Sequence, residues 1–330
     1  MATKSTIQRV AKPEGFGNIV VERAPFPVYG PRELLVQSRV SLISRGSEIL
    51  RRYMHDEAID PRIMGYSVAG DVREAGAEAA ARFAPGERVA AVLPHAQVVV
   101  GSIDAMEGTQ VWRVPATLSY EQIAFVPLVT GAVTWAAISE IQPGDTVVVM
   151  GQGLVGNLVL QAVRAFRPGQ LIAVDALPSR LQIAKAVGAD VTVNAADEDP
   201  VAQVMEFTGG KGAQVVIDCV GGRAGLRSFA QAQEMVADGG TLHLIALYHG
   251  EPLPLDAQKI QRRRLLGGYY HAAPRPEMVQ RAVEMVTSGE VRVEPLITHR
   301  FPFQEAKAAY DLLYERPQEA LGLLLIWEEN

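Results

Sequence analysis

The pattern of apolar and polar positions changes twice along the chain. Residues 1–122 contain short β-rich runs separated by Pro, Gly and Asp, as is typical of strands joined by turns. The predicted strands are Leu34–Val40, Val68–Val72, Glu87–Val92 and Ala96–Val100. This first region is therefore expected to be all-β or β-rich.

From about residue 120 the pattern becomes a strict alternation of strands and helices. Ser119 is the expected N-cap of a helix that runs to about Glu140. The apolar strands that follow are predicted at Thr146–Met150, Leu171–Asp175, Val191–Val193, Gln214–Cys219, Gly240–Ala246 and Leu265–Tyr270. The helices between them are predicted at Leu154–Phe166, Ser179–Val187, Pro200–Phe207 and Leu226–Val236. Six apolar strands alternating with helices predict an α/β doubly wound parallel sheet, the Rossmann arrangement that binds dinucleotides.

The last 60 residues are mixed and do not extend this alternation. The predicted elements are helices at Glu277–Ser288 and Phe303–Glu315 and strands at Leu296–Phe301 and Leu321–Trp327. We assign these elements to the first domain. The predicted organisation is a discontinuous domain of residues 1–122 and 268–330, with a nucleotide-binding domain of residues 123–267 inserted in it.

Composition and charge exclude several classes of protein. The chain has 330 residues, a length that suits two domains, and a net charge of −6. Phosphate binding favours a basic surface, so nucleic acid is not expected as a partner. The one basic run, Arg262–Arg264, is interpreted as a solvated strand or loop edge.

The cysteine count and the hydropathy point to a cytoplasmic protein. The single cysteine, Cys219, permits no intramolecular disulfide and no cysteine-rich zinc site. Residues 1–15 lack the apolar core of a secretion signal. No apolar stretch is expected to reach the roughly 20 residues that span a bilayer. We therefore expect a soluble protein with no membrane partner.

A glycine-rich segment follows the strand Thr146–Met150 and opens a helix, which is the context that a dinucleotide-binding loop requires. Residues 151–156 are Gly-Gln-Gly-Leu-Val-Gly. Gly151 would permit the tight turn, Gly153 the approach of the backbone to a pyrophosphate, and Gly156 the close packing of helix on strand. The helix N-terminus, with Leu154 and Val155, would offer free N–H groups to the phosphates.

An acidic residue lies about 20 positions beyond this loop. Asp175 ends the second strand of the alternation, where a carboxylate accepts hydrogen bonds from the ribose hydroxyls of NAD. A 2′-phosphate would meet like charge there. Asp175 therefore predicts NAD rather than NADP.

Several further segments occur in the order seen in one large family. They are Ile43–Glu48, Met64–Gly76, Pro85–Val89, Pro127–Thr130, Gly144–Gly151, Ala184–Asp190, Ile217–Gly221 and Leu296–Pro302. With these segments, nearly the entire chain resembles the medium-chain dehydrogenase/reductase superfamily. The resemblance implies a GroES-like β-rich catalytic domain around a Rossmann domain, with the active site in the cleft between them. It also implies that Arg45, Thr130, Arg180 and Val220 contribute to the cofactor site.

The departures from the family concern zinc. Ser44 stands where zinc-dependent members have a cysteine, Tyr66 and Ser67 stand in place of His-Glu, and Val126 stands where Glu or Cys is common. Ser, Tyr and Val cannot supply the three ligands of a catalytic zinc. After a one-residue insertion at Gly46, the proton-relay histidine of many members aligns with Leu50. The pattern Ile-Ser-x-Gly-Ser-Glu over residues 43–48, followed by Gly-Tyr-Ser at residues 65–67, is similar to a zinc-lacking branch that includes bacteriochlorophyllide dehydrogenases and sugar- or cyclitol-linked oxidoreductases.

Two hydroxyl residues are the predicted catalytic groups. Tyr66 replaces a zinc ligand and could donate a hydrogen bond to a carbonyl or alkoxide, or its ring could only fill the vacated volume. Ser47 matches the family's Ser/Thr beside the alcohol oxygen, and its alternative role is a local turn bond. Glu48 and His95 are expected to be structural, and His271 is a weaker candidate.

The resulting hypothesis is an NAD-dependent, zinc-independent dehydrogenase of a secondary alcohol or its ketone. A sugar, a cyclitol or a hydroxyethyl group would suit as the small-molecule substrate. The alternatives are an NADPH-dependent quinone or enoyl reductase and a nucleotide-binding protein without turnover. By resemblance we expect a homodimer or homotetramer paired through the last Rossmann strand.

Overall fold

The computed structural model describes residues 6–104, 110–246, 252–268 and 276–327. Contacts between Cα atoms divide the chain into two compact units. The first comprises Met1–Leu128, Ala272–Ser288 and Val293–Asn330, and the second comprises Val129–His271 and Gly289–Arg292. The first boundary between the units, after Leu128, thus falls later in the chain than the boundary predicted at residue 122.

The strands, in chain order, are β1 (Thr6–Ala11), β2 (Val20–Pro25), β3 (Glu33–Ile43), β4 (Val68–Ala75), β5 (Arg88–Ala91), β6 (Val98–Ser102), β7 (Val111–Arg113), β8 (Thr146–Met150), β9 (Gln170–Asp175), β10 (Val191–Asn194), β11 (Ala213–Asp218), β12 (Val236–Leu244), β13 (Arg264–Gly267), β14 (Ile297–Pro302) and β15 (Gly322–Ile326). The α-helices are α1 (Tyr120–Ile138), α2 (Leu154–Val163), α3 (Pro178–Val187), α4 (Pro200–Phe207), α5 (Gly225–Met235), α6 (Ala257–Ile260), α7 (Pro276–Ser288) and α8 (Ala306–Glu315). All of the strands and helices predicted from the sequence are present, with ends that shift by a few residues.

The first unit is built on a seven-stranded sheet. Its strands follow the order β14-β15-β3-β4-β5-β7, β6 pairs with β3, and a separate two-stranded sheet joins β1 to β2. Pairing is antiparallel except between β14 and β15. The long strand β3 is buried on most of its length, so it forms the centre of this β-rich unit.

The first unit is β-rich rather than all-β. Residues Arg45–Tyr53 form a π-helix that the sequence pattern does not predict, and Pro61–Ile63 and Ala79–Ala81 form short 3-10 helices. Glu48, Ile49 and Tyr53 are the buried residues of the π-helix. The segment was considered only as a family motif, because its apolar positions are too few to show a helical period. π-helices are rare, and they occur frequently at functional sites.

Helix α1 begins with the predicted cap. The Gln122 N–H donates to Ser119 Oγ at 3.2 Å, and the Ser119 N–H donates to Gln122 Oε1 at 2.9 Å, so the two residues form a reciprocal capping box. With 19 residues, α1 is long and apolar enough to cross a membrane by length and composition alone. This corrects the expectation that no segment reaches that length. More than half of its most apolar stretch is buried inside the protein, as in a core helix.

The second unit contains the predicted six-stranded parallel sheet. Its order is β10-β9-β8-β11-β12-β13, which is the doubly wound order of a Rossmann domain. All five strand pairs are parallel. Apolar residues of β8, β9 and β11 pack with those of α5 in one core cluster. The end of the last predicted strand, Tyr269 and Tyr270, lies outside the described residues.

A buried histidine makes the stability of the second unit depend on pH. His243 of β12 lies with its Nδ1 atom 2.8 Å from Ser139 Oγ, and burial lowers its pKa to about 4. The folded state therefore favours the neutral imidazole, whereas the unfolded chain binds a proton near pH 6.5. Stability from this group is complete above pH 6.5 and is lost as the pH falls towards 4.

We predict that the His243→Gln variant loses less free energy of unfolding on acidification than the wild type. Between pH 6.5 and pH 4 the difference in loss should reach about 3 kcal/mol, because one pKa unit corresponds to about 1.4 kcal/mol. Urea titrations at half-unit pH steps measure it. Parallel pH curves for the two proteins would contradict the assignment.

Candidate functional site

Two of the three glycines in the dinucleotide loop are required by packing within the protein. Gly151 has a φ of +81°, and a Cβ there would lie 2.8 Å from Val220 Cγ2. A Cβ on Gly156 would lie 1.7 Å from the Gly151 carbonyl oxygen. Side chains at these positions are therefore excluded by the segment that follows strand β11 and by the loop itself. This packing draws the start of α2 against the end of β8.

Gly153 differs from its two neighbours. It is the N-cap of α2 with a φ of −66° and a ψ of −173°, which any residue can adopt. A Cβ built on it would come no closer than 3.9 Å to another side chain, at Arg180 Nη1. The fold therefore leaves open space at Gly153. A pyrophosphate fits there, because the first N–H groups of α2, including those of Leu154 and Val155, have no side-chain cap.

Asp175 ends β9 beside this loop and is nearly buried. Its Oδ2 atom accepts from the Gln152 N–H at 2.6 Å, and Oδ1 accepts from the Leu177 N–H at 2.9 Å. Arg180 Nη1 lies 3.8 Å from Oδ2. Backbone donors thus fix the carboxylate and its charge next to the second residue of the loop. The structure brings together the loop, Asp175, Arg180 and Val220, and their roles in binding a cofactor stay predictions.

The other two predicted cofactor residues lie elsewhere in their units. Thr130 is buried in α1, where its carbonyl oxygen accepts from Thr134 Oγ1 at 2.8 Å. Arg45 begins the π-helix of the first unit, and its Nε donates to the Leu313 carbonyl at 3.3 Å. Their contacts with a cofactor stay predictions.

The positions that match zinc ligands carry no metal-binding set. The Ser44 N–H donates to Glu48 Oε1 at 2.9 Å, and Val126 is a fully buried apolar residue of α1. Ser67 Oγ donates to the Ala124 carbonyl at 2.6 Å, so this hydroxyl forms a hydrogen bond with the backbone of α1. Within the part of the chain that the structure describes, no group of three His, Cys, Asp or Glu could bind a metal ion. The donor set therefore does not fit a catalytic zinc.

Both predicted catalytic hydroxyls are on partly exposed residues of the first unit. Ser47 is the third residue of the π-helix, and Tyr66 follows Gly65, whose φ is +92°. His271, the weaker candidate, lies outside the described residues.

A buried cluster beside these residues was only partly foreseen. Glu48 Oε2 accepts from the Tyr310 hydroxyl and lies 3.1 Å from His95 Nε2. Burial alone would raise the pKa of Glu48, but His95, Arg52 and the Ser44 N–H outweigh it and lower the pKa. Burial and the same carboxylate raise the pKa of Tyr310. Glu48 and His95 were expected to be structural, whereas Tyr310 carried no local signal, being 262 positions from its partner.

Comparison with known sequences shows which proteins this chain is similar to. A model described as zinc-binding dehydrogenase matches residues 155–288. Rat sorbitol dehydrogenase is 26% identical over 345 residues, covering 94% of this chain and 92% of the relative. By these matches the chain is similar to zinc-binding-type medium-chain dehydrogenases. An alcohol dehydrogenase of Cupriavidus necator H16 is 32% identical over 221 residues, which are 64% of this chain and 58% of the relative. The chain spans about 60% of the length of the first curated relatives it matches.

Solved structures confirm the α/β fold of this chain. The alcohol dehydrogenase of Thermus sp. ATN1 superposes with a TM-score of 0.82 at 23% identity, over 97% of this chain and 99% of that one. A putative zinc-binding dehydrogenase of Sinorhizobium meliloti 1021, bound to NADP, has a TM-score of 0.80 at 22% identity, over 98% and 100% of the chains. An alcohol dehydrogenase of Escherichia coli CFT073 with NADH has a TM-score of 0.83 at 19% identity, over 98% and 99%.

The open space at Gly153 leads to a prediction about the loop. We expect the Gly153→Ala variant to keep the melting temperature of the wild type but to bind NADH at least about tenfold more weakly, because the methyl group would occupy space left for the pyrophosphate. Differential scanning calorimetry and isothermal titration measure the two quantities. Gly156→Ala is the contrasting variant, which should lose stability because of its clash with the Gly151 carbonyl. Unchanged NADH affinity in Gly153→Ala would contradict the site.

Proposed function

We propose that this protein is an NAD-dependent, zinc-independent oxidoreductase that transfers hydride between a secondary alcohol or ketone and NAD. One contrast carries the proposal: the dinucleotide loop is intact, while the positions matching zinc ligands hold Ser44, Tyr66 and Val126. Sorbitol and alcohol dehydrogenases among its relatives support a substrate with a secondary hydroxyl group. A sugar, a cyclitol or a hydroxyethyl side chain has that chemistry.

The preference for NAD rests on Asp175. Its carboxylate is held by two backbone N–H groups at the end of β9, so its charge and direction are fixed. Its remaining lone pairs could accept from the ribose hydroxyls of NAD, whereas a 2′-phosphate would be repelled. Structural neighbours with NADP and with NADH both exist, so the neighbours do not discriminate between the two cofactors.

The proposed chemistry in the first unit uses neutral hydroxyl donors. NAD, when bound, supplies the hydride acceptor. The Tyr66 hydroxyl would donate a hydrogen bond to the substrate oxygen. Ser47, which lies on the π-helix, would donate a second hydrogen bond to the same oxygen. These donors would stabilise the developing alkoxide in place of a metal ion.

An NADPH-dependent reductase is the second candidate. It is favoured by Arg180, whose Nη1 lies 3.8 Å from Asp175 Oδ2, since a guanidinium near this position can accommodate a 2′-phosphate. We rank it second because the Asp175 carboxylate accepts a hydrogen bond from the Gln152 N–H of the loop, which places a negative charge there.

We extend the proposal to a cytoplasmic homodimer or homotetramer. The single cysteine suits a reducing compartment. Strand β13 forms one edge of the six-stranded sheet, with Leu265 exposed, and an unpaired edge of this kind can pair with a second copy.

The first prediction of this proposal concerns metal and cofactor together. Protein dialysed against a chelator should contain far less than one zinc per chain and should still oxidise a secondary alcohol from a panel of polyols and cyclitols. Turnover should be faster with NAD than with NADP, because Asp175 repels the 2′-phosphate. Elemental analysis and absorbance of NADH at steady state measure this. Stoichiometric zinc that is needed for turnover would refute the proposal.

The Asp175→Asn variant is the control for the cofactor. It keeps the size of the side chain and removes the charge, so the ratio of kcat/KM for NAD to that for NADP should fall by about tenfold or more, that is by about 1.4 kcal/mol. An unchanged ratio, or a wild type that prefers NADPH, would favour the reductase candidate.

The second prediction concerns Tyr66. The Tyr66→Phe variant deletes only the hydroxyl, so kcat should fall by about 10²- to 10³-fold, as when one preorganised donor is removed. The melting temperature and the Kd for NADH should not change. If Tyr66→Phe turns over normally and Ser47→Ala does not, the ring of Tyr66 only fills volume and the donor is Ser47.

A further inference from the structure

The two proposed catalytic hydroxyls lie on separate segments that one pair of side chains joins. Ser47 is on the π-helix, next to Glu48, and Tyr66 follows Gly65, which packs against the ring of His95. His95 Nε2 lies 3.1 Å from Glu48 Oε2, and both side chains are fully buried. The pair therefore connects the residue before Tyr66 with the residue after Ser47.

His95 is fixed to the segment that carries Tyr66. Its backbone N–H donates to the Met64 carbonyl at 2.7 Å, and its own carbonyl accepts from the Val10 N–H at 2.9 Å. The ring fills the space beside Gly65 so closely that a Cβ there would lie 2.5 Å from it. Gly65 also has a φ of +92°, which favours glycine. The position of the ring and the backbone before Tyr66 are thus set together.

Glu48 fixes the start of the π-helix in turn. Its Oε1 atom accepts from the Ser44 N–H at 2.9 Å, and its Oε2 atom accepts from the hydroxyl of Tyr310 on α8. The helix closes at its other end where the Met54 N–H donates to the Ile49 carbonyl at 3.1 Å. π-helical turns are uncommon and rely on surrounding interactions. Glu48 supplies such interactions one residue from Ser47.

We propose that Glu48 and His95 are positioning residues that hold the Ser47 and Tyr66 hydroxyls at the separation needed by the reaction. The inference rests on the proposed function. Neither side chain is exposed, so neither is placed to touch substrate. A hydrogen bond between buried groups tolerates a narrow range of distance and angle, whereas apolar packing accepts small shifts. The pair is therefore suited to fixing a distance.

The first test displaces the His95 ring without changing it. In Gly65→Ala the new methyl group must push the ring aside, whereas in the matched control Gly86→Ala nothing lies within 4 Å of the new atom. Both glycines have similar positive φ values, +92° and +88°, so both variants carry the same kind of backbone strain. We expect kcat of Gly65→Ala to fall about 10- to 100-fold below that of Gly86→Ala at a temperature where both are folded, since a shift near 1 Å has that effect. The Kd for NADH should be the same in both.

The second test separates positioning from packing. His95→Gln keeps a donor that can reach Glu48, whereas His95→Leu fills a similar volume without one. If His95 acts by positioning, kcat of His95→Gln should lie much closer to the wild-type value than kcat of His95→Leu does. Equal kcat in the two variants, or a loss in Gly65→Ala no larger than in Gly86→Ala, would overturn the inference.

A third measurement distinguishes failure of the inference from failure of the proposed function. If wild-type protein that binds NADH turns over no alcohol, the proposed function fails, and hydrogen exchange then tests the link alone. His95→Leu should accelerate exchange both in residues 45–53 and in residues 64–67, with unchanged exchange in residues 151–163. Acceleration in only one of the first two segments would show that the pair does not couple them.

Discussion

The covering of the parallel sheet on both faces is the constraint on which the nucleotide site depends. Strands buried on both faces leave only their ends free for ligands, and the carboxyl ends of parallel strands lie along one edge. β8 lies between β9 and β11, where the strand order reverses, so the loop after β8 emerges at the switch point. Gly151 and Asp175 lie at this point because the neighbouring strands β8 and β9 both end there.

Much of this architecture follows from the sequence because it is local. The apolar segments and the turn residues between them predict the six strands. The capping box at Ser119 identifies the start of α1 to within one residue. The glycine spacing, with Asp175 beyond it, predicts a cluster that the structure brings together. Each of these signals lies within about 25 residues of its partner, so one sequence contains enough information to pair them.

The parts that could not be predicted depend on long-range contacts or on rare geometry. Tyr310 reaches Glu48 across 262 positions, and no local pattern connects a tyrosine in an amphipathic helix with one buried carboxylate. The break between the units falls within α1, where the helical period continues without a change that would mark it. The π-helix has no period of its own in nine residues, although the extra residue at Gly46 was visible against the family pattern.

An extra residue in a helix changes the direction of the side chains that follow it more than it changes the length of the helix. Inserting one residue in an α-helix turns every later side chain by about 100° about the axis, because each residue advances the helix by that angle. The wide turn that ends with the bond from Met54 to Ile49 absorbs the insertion locally, so the chain after it can keep its course. A single codon gained or lost within Arg45–Tyr53 would therefore be accommodated at this one turn, and the side chains after it would keep their direction without any other part of the fold moving.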